Sequence, residues 1–252
     1  MKILVCISHV PDTTSKINFV NGDTEFDTNG VQYVINPNDE FGLTRAIWFQ
    51  EQQGAQVTVV NVGGTDSEAT LRKALAIGAN EAIRINATPT DGFYVAKQLA
   101  EVVKSGGYDL VICGTESTDA RMSVVPAMIS ARLGWAQLTF ASKVTVDPAG
   151  SVAITRVTEA GVDEISAAFP CVVSVVEKIN EPRYPSFKGI MAAKKKTIEQ
   201  KDLAAVGASA QSAWSQVSDA TPRPPRAAGV KVNDEGNGGE ALVNFLAEKK
   251  LI

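Results

Sequence analysis

Residues 110–125 read LVICGTESTDARMSVV. Four apolar residues, Leu110 to Cys113, run into Gly114 and a small, polar elbow, after which Val125 to Gly134 has the look of a helix. A short, wholly apolar run closed by glycine is the pattern of a strand covered on both faces of a sheet. The same grammar recurs upstream in Lys2 to Ser8, in Gln56 to Val62 (QVTVVNV) and in Glu81 to Ile85. Helices are predicted between these runs. Asn36-Pro37-Asn38-Asp39-Glu40 opens the first, with Asn36 able to cap, Pro37 in the first turn, and Asp39 and Glu40 suited to the dipole; Leu43, Ala46 and Ile47 form its inner stripe. The second runs from Ser67 to Ile77, with Leu71, Ala74 and Leu75 inward and Gly78 as its stop. The third runs from Phe93 to Lys104, with Val95, Leu99, Val102 and Val103 inward. Strands separated by helices of this length imply right-handed crossovers and a parallel sheet, so residues 1–135 read as an open, doubly wound α/β unit.

Beyond Trp135 the pattern changes. Phe140 to Val146, Val152 to Thr158, Val162 to Phe169 and Cys171 to Val176 are strand-like, with no room for helices between them. Turn residues join them at Asp147-Pro148-Ala149-Gly150 and at Ala160-Gly161, which predicts antiparallel β on the same sheet or beside it. Residues 199–236 are rich in Ala, Ser and Gln, contain Pro222, Pro224 and Pro225, and carry a single large aromatic, Trp214, too little to build a core. Glu240 to Ile252 recovers an amphipathic helix with Leu242, Val243, Phe245, Leu246 and Ile252. The expected division is a nucleotide-binding α/β domain over residues 1–192, then a C-terminal arm and helix over 193–252 that docks on a partner subunit.

The composition narrows the function classes. The chain has 252 residues, 44% hydrophobic and 21% charged, enough for a sizeable core. A net charge of −4 lacks the basic footprint of a nucleic-acid binder, despite Lys194-Lys195-Lys196. Cys6, Cys113 and Cys171 lie far apart in apolar runs and are expected as buried free thiols. One histidine, His9, has no ligand spacing around it, so no metal site is expected. The first apolar run is too short to span a membrane and has no secretory cleavage pattern, which points to a cytoplasmic chain without membrane insertion.

In open α/β sheets ligands sit beyond the carboxyl ends of the strands, where the 114–125 elbow is delivered. Gly114 permits close backbone approach, Ser117, Thr118 and Ser123 offer hydroxyls, and the free amides of a helix beginning near Arg121 would suit an anion such as phosphate. A capped turn with Asp119 as N-cap accounts for the same residues. The loop is neither a Walker A nor a GxGxxG motif. Three further elbows fall on the same edge: Cys6-Ile7-Ser8, Asn36 to Asp39, and Val62-Gly63-Gly64-Thr65. None carries a nucleophile, a base or a catalytic constellation, so binding without bond chemistry is expected.

The order of ILVCISHVPD, INPNDEFGLTRAI, VGGTDSEATLRKALAIGAN, DLVICGTESTDARMSVVPAMISARLGW and FPCVVSVVEKINEPRYPSFKGIMAAKKK, with AAGVKV at 227–232, resembles the β-subunit family of electron transfer flavoproteins over nearly the whole chain. The resemblance implies a doubly wound, mostly parallel sheet of the adenine nucleotide α hydrolase kind, with an antiparallel addition and an extended C-terminal arm. It implies a heterodimer with an α subunit that holds most of the contacts to a redox FAD, and a structural AMP in this subunit. Electrons would pass from acyl-CoA and other flavin dehydrogenases, as in fatty acid β-oxidation, to a quinone oxidoreductase at the membrane. Carried over by position, AMP contacts fall on Cys6, on Asn36, Pro37, Asn38 and Asp39, on Val62, and on Gly114, Thr115, Glu116, Ser117, Thr118, Asp119, Ala120, Arg121, Met122, Ser123, Val124 and Val125. The dehydrogenase-docking loop falls on Arg183, Tyr184, Pro185, Ser186, Phe187, Lys188, Gly189, Ile190 and Met191, with Phe187 at the anchoring position.

The chain departs from the family pattern in three places. Phe187 stands where many relatives have leucine. Asp119-Ala120-Arg121-Met122-Ser123-Val124-Val125 replaces an acidic, glutamine-containing phosphate loop. Thr13-Thr14 occupies the place of an aromatic that meets the flavin ring in some relatives. Bifurcating members carry a second FAD in the AMP groove, and the sequence leaves AMP and FAD both open there. Two other classes compete: a stand-alone adenine-nucleotide sensor of the universal-stress type, against which stand the antiparallel block and the arm, and an ATP-dependent adenylating enzyme, against which stands the absence of an SGGxDS-like loop.

Overall fold

The computed structural model describes residues 1–20, 25–147, 149–210, 212–215, 217–221, 224–229 and 231–252. Pro148, Pro222 and Val230, named above, lie outside them. In chain order the elements are β1 (Lys2–Cys6), β2 (His9–Pro11), β3 (Phe19–Val20), β4 (Glu25–Phe26), β5 (Tyr33–Ile35), α1 (Pro37–Gln53), β6 (Gln56–Gly63), α2 (Glu68–Ile77), β7 (Glu81–Asn86), α3 (Gly92–Gly106), β8 (Leu110–Gly114), α4 (Val125–Leu133), β9 (Ala136–Asp147), β10 (Ser151–Thr158), β11 (Gly161–Ala168), β12 (Cys171–Val175), α5 (Phe187–Ala193), β13 (Ile198–Asp202) and α6 (Gly238–Glu248).

Nine strands form one sheet in the order β11-β10-β9-β12-β8-β1-β6-β7-β13. From β12 through β13 all pairings are parallel, with β1 between β6 and β8. Side chains alternate across the pleat, so the interior strands β1, β8 and β12, covered on both faces, are almost wholly apolar. In β1, Ile3 and Val5 pack on the side of α1 and α2, while Leu4 and Cys6 pack on the side of α3 and α4. All three cysteines are buried free thiols.

The predicted antiparallel block is present in part. β9, β10 and β11 are antiparallel neighbours, but Cys171–Val175 is parallel to both β8 and β9 and fills the slot between them. Its five residues are all buried, which is the mark of an interior strand rather than of a hairpin return. β9 joins the two regimes: Ala136–Leu138 pair with β12, and Ala141–Asp147 pair with β10. At the change of partner Phe140 takes a left-handed φ of 61°, and its N–H donates to Ser174 Oγ at 3.0 Å.

Packing divides the chain at 217/218 rather than at the expected 192/193. The reason is β13, which pairs with β7 over five residues and keeps Ile198 buried against the main core. The connection before it is fastened too. Arg72 donates to the carbonyls of Ala193 and Lys196, and Lys196 Nζ donates to Ala79 O at 2.6 Å. Lys196 is therefore tied down just beyond the end of α2. The second unit, residues 218–252, contains α6. Asp234 Oδ1 accepts from Gly236 and Gly238 N–H at 2.8 Å each just ahead of it, and Leu242, Val243 and Phe245 are exposed. Among the described residues, no helix is long and apolar enough to cross a membrane.

The short helix α5 lies close on α2. A methyl group at Gly189 would run into the Ala76 carbonyl oxygen, a rigid backbone atom. Gly189→Ala is expected to lever α5 off α2 and to lower stability by about 1–3 kcal/mol, read as a drop in urea midpoint; an unchanged midpoint would show that the contact is loose.

Candidate functional site

The carboxyl ends of β1, β6 and β8 form the floor of a cleft of about 220 Å³. Cys6, Val62 and Cys113 lie at its base, and Val95 and Leu99 of α3 with Val125 of α4 make an apolar wall. Ser8, His9, Asp39, Glu116, Ser117, Asp119 and Ser123 make the polar side, and residues 89–92 form the rim.

Asp39 organises the polar side. Its carboxylate accepts from the Ser8 N–H at 2.8 Å through Oδ2 and from the Gly114 N–H at 3.1 Å through Oδ1, joining the ends of β1 and β8 to the first turn of α1. The sequence suggested a residue serving the helix dipole; the side chain is instead only 5% exposed. Burial pushes its carboxyl up to about 7, against the pull of the two N–H donors and of Asn36. Gly114 is required here for space. A Cβ at that position would lie 2.6 Å from the Asn38 carbonyl carbon and from Asp39 Oδ1.

Asn36 also differs from expectation. It occupies the N-cap position without a side-chain cap bond. Its Nδ2 donates to Glu116 O at 2.8 Å, and its Oδ1 accepts from the Thr118 N–H at 3.1 Å. Asn38 Nδ2 adds a second bond to Glu116 O at 3.0 Å. The elbow after β8 is thus held by amides projecting from the start of α1. Thr115 secures its other flank, giving both its N–H and its hydroxyl to Val175 O at 3.0 and 2.7 Å.

Helix α4 begins at Val125, not near Arg121, and Val124 rather than Asp119 is its N-cap residue. Asp119 accepts locally from Ala120 N–H at 2.6 Å. Arg121 and Ser123 take left-handed φ values of 50° and 55°, which fold 117–124 into a tight loop ahead of the helix. Both are L residues in a region that favours glycine, at a cost of order 1 kcal/mol each. Ser123 Oγ donates to Glu116 Oε2 at 2.8 Å, and Arg121 Nε donates back to Thr118 O at 3.3 Å. Val124, Val125 and Pro126 at the start of α4 line one end of the cleft; Pro126 has no N–H and the Met128 N–H donates to Val124 O at 2.9 Å, which leaves Val125 and Ala127 as the free amides of the first turn.

Of the predicted contact residues, Cys6, Asp39, Val62, Gly114, Thr115, Glu116, Ser117, Asp119, Ala120, Met122, Ser123, Val124 and Val125 line one cleft. Asn36, Pro37, Asn38, Thr118 and Arg121 do not; Asn36 and Asn38 act as braces behind the wall. Residues 183–191 lie elsewhere, rooted on α1 by Arg183 N–H to Thr44 Oγ1 (3.0 Å) and by the Arg183–Glu51 ion pair (2.8 Å). There Ser186 caps α5, and Tyr184 and Phe187 are 84% and 80% exposed.

Sequence reasoning missed residues 89–92 with Val95 and Leu99, although Pro89-Thr90-Asp91-Gly92 is a turn-and-cap signature at the end of another parallel strand. It also missed His9, whose Nδ1 is 2.7 Å from Thr70 Oγ1 and whose ring stacks on Tyr33 at 4.7 Å. Burial lowers the His9 pKa, and Asp66 at 3.5 Å opposes this. Asn61 was missed as well; it gives Nδ2 to Ile7 O at 2.8 Å while its buried Oδ1 has no partner.

Residues 23–206 match the family model described as the electron transfer flavoprotein domain. The chain belongs to the β-subunit family of electron transfer flavoproteins. It is 38% identical over 271 aligned positions, 99% of both chains, to a Mycobacterium tuberculosis (strain ATCC 25618 / H37Rv) protein named electron transfer flavoprotein subunit beta. Proteins of the same name from Bradyrhizobium diazoefficiens and Bacillus subtilis (strain 168) are 34% and 32% identical, over 93% and 81% of this chain and 94% and 79% of their own. Membership ties the chain to electron transport and to a flavin, and a mostly parallel sheet with an antiparallel extension agrees with it.

The cleft generates a pH prediction. Asp39 binds its proton more tightly in the fold than in the unfolded chain, where its ordinary value is 3.8. Its stabilising contribution is full below that value and is lost as the pH rises through about 7. Between pH 4 and 8, the unfolding free energy of the wild type is therefore expected to fall relative to Asp39→Asn by a few kcal/mol. Parallel urea-derived curves for the two proteins would contradict it.

Proposed function

We propose that this chain is the β subunit of a heterodimeric electron transfer flavoprotein, an electron carrier without catalytic residues of its own, working in the cytoplasm. It binds AMP in the cleft, supports the FAD-bearing part of an α subunit, and docks flavin dehydrogenases such as acyl-CoA dehydrogenases. Electrons pass on to a quinone oxidoreductase at the membrane. The bound FAD would supply the redox chemistry; the residues of this chain bind, brace and orient.

The observation that carries this reading is the two-sided cleft in a chain of this family. The apolar part of the lining, Cys6, Val62, Cys113, Val95, Leu99 and Val125, suits an adenine ring. The Val125 amide at the start of α4, with the hydroxyl of Ser117, suits a phosphate at a helix N-terminus. Among the described residues no Lys or Arg lines the cleft, while Asp39, Glu116, Asp119 and Asp91 do. This favours a single, amide-held phosphate over a polyphosphate that would demand countercharge. Denaturing the purified heterodimer in acid is expected to release AMP and about one FAD; two FAD without AMP would assign the chain to the bifurcating type, and no nucleotide would remove the reading.

Residues 183–191 support the docking role. Tyr184, Phe187, Ile190 and Met191 are all exposed on a segment whose base is fixed to α1 and α2, an arrangement suited to an apolar anchor entering a partner's pocket. The exposed apolar row of α6 supports a grip of the C-terminal segment, read from the sequence as 193–252, on the α subunit. Phe187→Ala is expected to weaken dehydrogenase binding by about 2 kcal/mol with the flavin spectrum unchanged; an undiminished rate with an acyl-CoA dehydrogenase would make Phe187 a bystander.

A further inference from the structure

The rim of the cleft is fastened to a residue that does not line it. Asp91 caps α3, accepting from the Tyr94 N–H at 2.8 Å through Oδ1, and its Oδ2 accepts from the backbone N–H of Trp214 at 2.7 Å. The Trp214 ring lies 4.0 Å from that of Phe93, tilted by 30°. The Arg132 guanidinium of α4 lies over the same Phe93 ring at 4.4 Å. A Cβ placed at Gly92 would reach ordinary van der Waals contact with Val124 and Val125, two residues of the cleft lining. Asp91 and Gly92 line the cleft themselves. One aromatic from the sequence that follows the last strand thus joins the rim to α3, whose Phe93 also carries Arg132 of α4. Trp214 is 75% exposed, so little of its side chain is committed to the core. That combination suits a contact that ties the rim to the following chain better than a core packing residue.

We propose that Trp214 is a positioning residue for nucleotide binding: held on Asp91 and Phe93, it keeps the 89–92 rim against the cleft, so that a bound nucleotide and the anchored segment favour each other. The inference rests on reading the cleft as an adenylate site. Reciprocity follows, because any gain in nucleotide affinity from the anchor is matched by an equal gain in anchoring from the nucleotide.

The test uses the full chain freed of nucleotide, with AMP and FAD as probes. Trp214→Ala is expected to weaken AMP binding about tenfold in calorimetry, while the melting temperature without nucleotide stays unchanged. Trp214→Phe, which keeps a ring on Phe93 and the backbone bond to Asp91, is expected to restore most of the affinity. In the wild type, AMP is expected to protect the chain around Trp214 from limited proteolysis, and in Trp214→Ala it is not. Equal AMP affinity in wild type and Trp214→Ala, or a loss of affinity matched by a lower nucleotide-free melting temperature, overturns the positioning role alone. A wild-type chain that binds neither AMP nor FAD overturns the adenylate reading and the anchor with it.

Discussion

The Asp39 carboxylate, 5% exposed, stands between the Ser8 and Gly114 N–H groups and closes the gap where β1 and β8 separate from α1. Each donor would otherwise be an unpaired amide at a buried strand end, a loss of about 1–3 kcal/mol apiece. Burying a carboxyl has its own cost, visible in a pKa displaced to about 7. Both are tolerated because this pin fixes the relative heights of two strand ends that carry cleft residues. Gly114 follows from the pin, since any side chain there would strike Asn38 or Asp39. The Asn36 and Asn38 amides extend the same brace to Glu116 and Thr118 in the following loop.

From this brace the division of labour in the cleft can be understood. The floor is inherited from the sheet: apolar strand residues that would be buried in any case end at a common edge. The walls come from α3 and α4, both on the face of the sheet that Leu4, Cys6, Val111 and Cys113 cover. The polar side is acidic, with Asp39, Glu116 and Asp119 on it. Left-handed Arg121 and Ser123 make the turn that brings the chain from Glu116 to the start of α4.

Much of the architecture was legible. Apolar runs such as Leu110 to Cys113 can be buried only on both faces, and helix-length spacers between them force parallel order. The strand at Cys171–Val175 was misread because local sequence encodes strand character and not partner choice; five buried residues in a row were the signal for the sheet interior. The packing boundary falls at 217/218, beyond the expected 192/193, for a similar reason. Ile198–Asp202 is polar along most of its length and forms an edge strand, recognisable only once β7 is seen to offer it a partner.

The candidate site divides along the same line. By itself the sequence determined which elbows lie on the carboxyl edge, because connection length and strand burial dictate where each loop must emerge, and the family pattern selected among them. Only the tertiary structure decided what each residue does there. Asn36 forgoes its own helix cap for two loop atoms eighty residues away, Asp39 leaves the solvent for two strand ends, and Lys196 folds back on Ala79. These choices depend on long-range proximity, which sets the competition between a local hydrogen bond and a distant one that is already buried, and no stretch of sequence contains that distance.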